Sequence, residues 1–253
     1  MLSKNKIKFF NSLKLKKFRI KNNLFLAEGE KLVFELLQSE IKPKIILTTL
    51  NDYITETKYN NIEIIQVNFS EIKKISQLKT PPEFIGIFEM PYNKFSLSEI
   101  ENSLNLFCDD IQNPGNLGTI IRTADWFGIE NIICSENTVD AYNPKTIQAT
   151  MGAIASVKVH YVNKEDFFSN IDKKMPVYGT FLEGENIYNT ELTANGLIVI
   201  GNEGQGISEE IVPFVTKKLF IPSYNTKQKS AESLNASIAA AVVCAEFKRK
   251  KQN

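Results

Sequence analysis

Histidine is almost missing from this chain: His160 is the single one in 253 residues. A Ser-His-Asp or Cys-His apparatus and a histidine-built zinc site therefore have no raw material. His160 lies inside an expected strand and reads as structural. Cysteine is scarce too. Cys108, Cys134 and Cys244 sit in apolar segments at no metal-ligand spacing, so they read as buried free thiols in a reducing cytosol, and no metal is expected. No apolar run approaches the roughly 20 residues of a membrane span. The lysine-bearing N-terminus has no apolar stretch behind it, so no signal peptide is expected and the expected location is cytoplasmic. Acidic residues are absent from positions 1–27, which hold eight basic ones (Lys4, Lys6, Lys8, Lys14, Lys16, Lys17, Arg19 and Lys21). The C-terminus carries the basic run Lys248-Arg-Lys-Lys251. On a body of net charge +1, such ends fit either a local phosphate-binding surface or solvated helix faces.

What is present is ordinary globular material: 43% hydrophobic and 23% charged residues, enough for one large or two ordinary domains. Residues 20–90 read as a small αβ unit of about four strands. These are Leu24–Ala27, Ile45–Thr48, Ile62–Val67 and Phe84–Met90, with a helix over Lys31–Gln38 and another over Phe69–Leu78. A helix is expected over Ser3–Lys17. The polar, irregular stretch Pro91–Glu101 reads as a linker, and the expected division is 1–92, a linker at 93–103, and 104–253.

From Leu104 strands and helices alternate, which argues for a mostly parallel sheet covered by helices on both sides. Gln112–Gly118 reads as a tight turn before a helix over Thr119–Phe127. Asn143-Pro144 opens a helix that runs to Met151-Gly152. Glu209–Val215 reads as a short helix. The last helix, from Leu234 to Lys248, is expected to bury Leu234, Ile238, Val242 and Ala245.

Two buried strand ends stand out. Leu197–Ile200 runs into a turn with Gly201, Gly204 and Gly206 that contains Glu203. Leu219–Ile221 runs to Pro222, then a polar loop, then Ser233-Leu234-Asn235 at a helix start. Glycine lets a ligand approach the backbone closely. Two such ends suggest a ligand crevice at the carboxyl edge of an α/β sheet. The pattern G-x-x-G-x-G is not the G-x-G-x-x-G of dinucleotide binding, which argues against a nicotinamide-dependent oxidoreductase.

Three segments now stand together: Asn113-Pro-Gly-Asn116-Leu-Gly118-Thr-Ile-Ile-Arg122-Thr-Ala124, then Ile200-Gly-Asn-Glu203-Gly-Gln-Gly206, then Ile221-Pro222 with Ser233-Leu-Asn235. In order and in key residues they resemble the three motifs of the SpoU-type (TrmH-like) branch of the SPOUT methyltransferases. These enzymes methylate the ribose 2′-hydroxyl of RNA with S-adenosylmethionine. The resemblance covers about residues 104–250. Arg19 and Phe25-Leu-Ala-Glu28-Gly29 resemble the small substrate-binding domain of many members, which is itself similar to a ribosomal-protein RNA-binding fold.

The resemblance implies an α/β sheet with a C-terminal trefoil knot, a homodimer with the site at its interface, and RNA as partner, ribosomal RNA ahead of transfer RNA. It implies S-adenosylmethionine held near Thr180, Gly201, Glu203, Gly206, Ile221 and Leu234. It also implies that Asn116, Arg122, Glu203, Ser233 and Asn235 serve catalysis. Arg122 aligns with the motif-one arginine. A guanidinium stays protonated, so phosphate binding and stabilisation of a developing alkoxide suit it better than action as a base. Asn116 is placed to hydrogen-bond ribose or to orient Glu203. Ser233 and Asn235 sit where a helix start offers free N–H groups, so capping is their alternative role. Lys227 and Lys229 flank the third motif and read as RNA contacts or a solvated loop. A non-catalytic RNA-binding assembly factor on the same fold is the rival from another class.

Overall fold

A computed structural model describes residues 2–50, 62–225 and 233–249. In chain order its first elements are α1 (Lys4–Ser12), α2 (Lys16–Asn22), β1 (Leu24–Glu28), α3 (Glu30–Gln38), β2 (Pro43–Thr48), β3 (Glu63–Gln66), α4 (Phe69–Ile75) and β4 (Phe84–Glu89). Next come α5 (Leu97–Glu101), β5 (Leu104–Cys108), α6 (Pro114–Trp126), β6 (Asn131–Ser135), α7 (Pro144–Thr150), β7 (Lys158–Val162) and α8 (Lys164–Asn170). The last are β8 (Val177–Phe181), β9 (Glu185–Asn186), β10 (Gly196–Ile200), β11 (Lys217–Phe220) and α9 (Ala236–Arg249).

These elements form two compact units, one of Met1–Tyr92 with Asp140–Ser156, the other of Asn93–Val139 with Val157–Asn253. The first unit holds a four-stranded sheet in the order β1-β4-β2-β3, antiparallel at both β4 edges and parallel between β2 and β3. The apolar face of α3, with Leu32, Val33, Leu36 and Leu37, is buried, as its 3–4 spacing requires. α4 begins with a capping box between Asn68 and Glu71. The segment Asp140–Ser156, which in sequence follows β6, joins this unit: the Tyr142 ring packs against Phe25 at 5.1 Å.

The first helix is two helices. Arg19, 2% exposed, donates to the carbonyls of Leu13 and Lys14 at 2.8 and 2.9 Å. Those carbonyls stand at the break between α1 and α2, so the guanidinium takes up acceptors the helix no longer uses. The other side of the same guanidinium pairs with Asp140.

The second unit holds a seven-stranded sheet in the order β7-β6-β5-β10-β8-β11-β9, parallel at every pairing. Strands buried on both faces read as continuous apolar runs, and β5, β6 and β10 are buried throughout. Phe107, Phe167, Phe168, Leu197 and Val199 lie in its core.

Four sequence expectations need correction here. The stretch taken as a linker carries α5, and Ile100 is buried in the second core with Phe95 and Leu97 packed against it. The supposed turn before Thr119 is already helix from Pro114, because Asn113 caps it by accepting from Gly115 N and proline suits the first helical position. Glu209–Val215 contains only a 3-10 turn at Val212–Phe214, since Pro213 lacks the N–H that a longer helix would use. In α9 the buried residues are Ala236, Ser237, Ala240, Val243, Cys244, Glu246 and Phe247, while Leu234 and Ile238 are 50% and 51% exposed. The side of α9 that packs on α6 and β10 is the one with several small residues, which allow close approach.

Replacing Arg19 by Met would leave Asp140 without its cation and two carbonyls without donors. We expect a loss of about 3 kcal/mol, read as an earlier urea midpoint for the transition of the first unit.

Candidate active site

Three strands of the second sheet end at one cavity. Its volume is about 710 Å³, and its walls come from the carboxyl ends of β8, β10 and β11 and the start of α9. Thr180, Gly201, Glu203, Gly206, Ile221 and Leu234 all line it, as do Phe181, Leu182, Asn202 and Ser233. Its place follows from topology. The chain lays down β5, β6 and β7 in one direction and then β8 and β11 in the other, with β10 inserted between the two halves. Ligands of open parallel sheets settle outside such a switch point.

The glycine loop has a defined shape. Asn202 and Gly206 exchange backbone hydrogen bonds of 2.9 Å each, and the Asn202 side chain accepts from Gly204 N and Gln205 N. A Cβ on Gly201 would lie 2.4 Å from the carbonyl carbon of Gly206, so only glycine lets the loop close this tightly. Thr180 donates its hydroxyl to the carbonyl of Val199 at 3.0 Å, which ties β8 to β10 beside the cavity.

One residue from each motif meets at Asn116. Asn116 Nδ2 donates to Glu203 Oε1 at 2.8 Å. Asn235 Nδ2 donates to Asn116 Oδ1 at 3.0 Å. Asn235 Oδ1 in turn accepts from Ser237 N at 3.0 Å and from the Ser237 hydroxyl at 2.7 Å. The capping role and the site role of Asn235 are thus the same geometry. Gln112 N also approaches Glu203 Oε2, at 3.5 Å.

Ser233 lies on the cavity wall. Arg122 does not join the cluster: it is exposed on α6, and its side chain makes no hydrogen bond or ion pair among the described residues. Trp126, one turn on, is 84% exposed. Lys227 and Lys229 lie outside the described residues.

Behind the loop is a charged cluster that sequence reading passed over. Asp109, 1% exposed at its side chain, accepts from Ser208 N at 2.7 Å. Lys164 Nζ stands 3.9 Å from Asp109, 3.9 Å from Asp110 and 3.3 Å from Glu210. Burial pushes the Asp109 carboxyl above the usual carboxylate range, against the pull of the Ser208 N–H and Lys164. Asn202 was missed as well; an asparagine that can bond its own backbone two residues on was the available signal. His160 is buried, with Nε2 3.3 Å from Asn131 Oδ1, and burial lowers its pKa. The three cysteines are free and buried. Among the described residues no cluster of His, Cys, Asp and Glu could hold a metal ion, and no helix is long and apolar enough to cross a membrane.

The profile of the SpoU rRNA Methylase family matches residues 103–245, and that of the MRM3-like substrate binding domain matches residues 4–86. The chain is 31% identical over 240 residues to the 23S rRNA (guanosine(2553)-2′-O)-methyltransferase RlmP of Bacillus subtilis, covering 94% of each protein. A TrmH-family structure from Porphyromonas gingivalis superposes with a TM-score of 0.87 at 35% identity over 99% of both chains. An AdoMet-bound rRNA methyltransferase from Sinorhizobium meliloti gives 0.85 at 29% identity, over 99% of this chain and 96% of that one. The motifs, the parallel sheet and these matches agree: the chain belongs to the SpoU rRNA methylase family.

Proposed function

We propose that this chain is an S-adenosylmethionine-dependent RNA 2′-O-ribose methyltransferase that acts on ribosomal RNA, as a cytoplasmic homodimer. The observation that carries the reading is the meeting of Asn116, Glu203 and Asn235, one from each motif, beside a cavity of about 710 Å³. That volume suits a small-molecule ligand. The names of the Bacillus and Sinorhizobium relatives favour ribosomal RNA as substrate. Residues 1–92 serve RNA docking in this reading, and their basic N-terminal stretch suits a phosphate backbone. Residues 104–253 serve methyl transfer, with a trefoil knot in their C-terminal part. Three buried free thiols fit a reducing compartment.

Backbone groups around Thr180, Gly201, Gly206, Ile221 and Leu234 hold the cofactor, which when bound supplies an electrophilic methyl group. The protein's own part is positioning and charge. Glu203 fixes the Asn116 amide, and the Asn116 and Asn235 amides orient the ribose. Arg122 remains a cation and faces the RNA phosphate and the negative charge that develops on the 2′-oxygen. Arg122 stands apart from the Glu203 cluster and is exposed. Trp126, Leu234 and Ile238 are exposed on the α6 and α9 side as well. An interface between two copies would cover these apolar side chains and bring Arg122 to the partner's cavity.

Methyl transfer from radiolabelled S-adenosylmethionine into unmodified rRNA and tRNA tests the function. Label in rRNA that falls about 100-fold or more in Arg122→Ala, with cofactor affinity nearly unchanged, is the expected outcome. Label in neither RNA, with no cofactor binding, would favour the non-catalytic assembly factor. Mixing the strongly impaired Arg122→Ala and Glu203→Gln chains should restore roughly a quarter of wild-type turnover if each site takes its arginine from the other copy. Ile238→Asp should shift the sedimentation coefficient to that of a monomer. Gly201→Ala should weaken cofactor binding by about tenfold or more in calorimetry, because the loop must open to admit the methyl.

A further inference from the structure

Among the described residues of the second unit Asp109 is the most deeply buried carboxylate, and its surroundings suit a mechanical task. Its backbone N–H donates to the carbonyl of Ile200 at 2.9 Å, at the strand end where the glycine loop begins. Its Oδ2 accepts from Ser208 N at 2.7 Å, where the loop ends. The carbonyl of the next residue, Asp110, accepts from Asn202 Nδ2 at 2.7 Å, inside the loop. One dipeptide thus holds the loop before, within and after its glycines. The dipeptide is itself fixed. Asp110 has a left-handed backbone, φ 54°, which Ser135 supports by accepting from Asp110 N at 2.8 Å and donating to Asp110 Oδ1 at 2.6 Å.

A merely structural acceptor at position 109 would not need to be charged. Asp109 Oδ1 and Ser208 Oγ are buried without a hydrogen-bond partner, and Lys164 approaches no closer than 3.9 Å to that oxygen. Such an arrangement is costly. What the charge supplies is a charge-assisted bond to the Ser208 N–H, stronger than a neutral one. A loop with three glycines has much conformational freedom to lose, and Glu203 hangs from it.

We propose that Asp109 is a positioning residue for the reaction: it clamps the glycine loop so that Glu203 meets Asn116 and the cavity wall keeps its shape. The proposal rests on the methyltransferase reading for its consequence, but the clamp itself can be measured without it.

The test compares full-length wild type, Asp109→Asn, Glu203→Gln and the double variant. Asparagine preserves the shape and an acceptor for Ser208, so the fold should survive. In Asp109→Asn, amide hydrogen exchange over residues 202–208 should rise about tenfold. The Kd for S-adenosylmethionine should rise about tenfold and kcat should fall about 30-fold, while the KM for RNA stays within about threefold. In the Glu203→Gln background the same substitution should lower kcat by less than about threefold, because the group being positioned is already gone. Unchanged exchange overturns the proposal. So does wild-type kcat and Kd despite faster exchange, or an undiminished kcat loss in the Glu203→Gln background. A wild-type protein that transfers no methyl group overturns the functional reading instead, and the exchange measurement still decides whether Asp109 clamps the loop.

Discussion

A single side-chain amide joins three stretches that are far apart along the chain. Asn116 donates to Glu203 and accepts from Asn235, and no other side chain of its length does both. Aspartate would lose the donor and face Glu203 with a second negative charge; leucine would lose both contacts. The direction of the relay is set from one end. Asn235 Oδ1 is committed to the free N–H groups at the start of α9, so its NH₂ must face Asn116. The Asn116 carbonyl must then face Asn235, and its NH₂ must face the carboxylate. Helix capping, a local requirement of α9, thereby fixes the orientation of two amides and a carboxylate at the cavity.

The sheet supplies the frame for this relay. In parallel sheets all strand ends of one polarity lie on one edge, so loops from β5, β8, β10 and β11 converge there. β10 lies between β5 and β8 with register Ile200↔Cys108 on one side and Val199↔Gly179 on the other. The glycine loop after β10 is therefore flanked by Asp109 and Thr180. That adjacency explains why Asp109 bonds to both ends of the loop, at Ile200 and Ser208, while Thr180 bonds to Val199 of β10 just before it. The burial of β10 on both faces makes this edge stiff, and the tightness at Gly201 extends that stiffness into the loop.

Much of this was legible in the sequence, for identifiable reasons. Short β-branched runs such as Leu197–Ile200 and glycine or asparagine at their ends have few alternative readings, so the strands and the segments that carry Asn116, Glu203 and Asn235 were picked out, although Asn116 lies in α6 rather than in a turn. What was hidden depended on tertiary partners. In α9, Leu234 and Ile238 outrank Ala236 and Ala240 in hydrophobicity, yet close approach of α6 selects the small residues for the inside. Asp140–Ser156 reads as part of the second domain because it sits between two of its strands; its place in the first unit rests on partners such as Arg19 and Phe25, more than a hundred positions earlier. Asp109 looks the same in sequence whether it is solvated or buried, and only Ser208 and Lys164 reveal which.

Chemistry without histidine narrows what the site can do. The one histidine is buried against Asn131, and the three thiols are inside the second unit. The side chains lining the cavity bring two carboxylates, Glu183 and Glu203, the Lys218 ammonium, amides and hydroxyls, and α6 adds the Arg122 guanidinium nearby. Glu203 is already engaged by the Asn116 amide. A mechanism that abstracts the proton with an imidazole poised near neutrality has no histidine at the cavity to use. Alignment of the 2′-oxygen and stabilisation of its charge in a fixed field ask for nothing that is missing. Those effects require that the loop with Glu203 not drift, since preorganised dipoles act only while they stay aimed. That requirement gives physical meaning to a buried carboxylate behind the loop, to an asparagine that bonds its own turn, and to a glycine too crowded to be anything else.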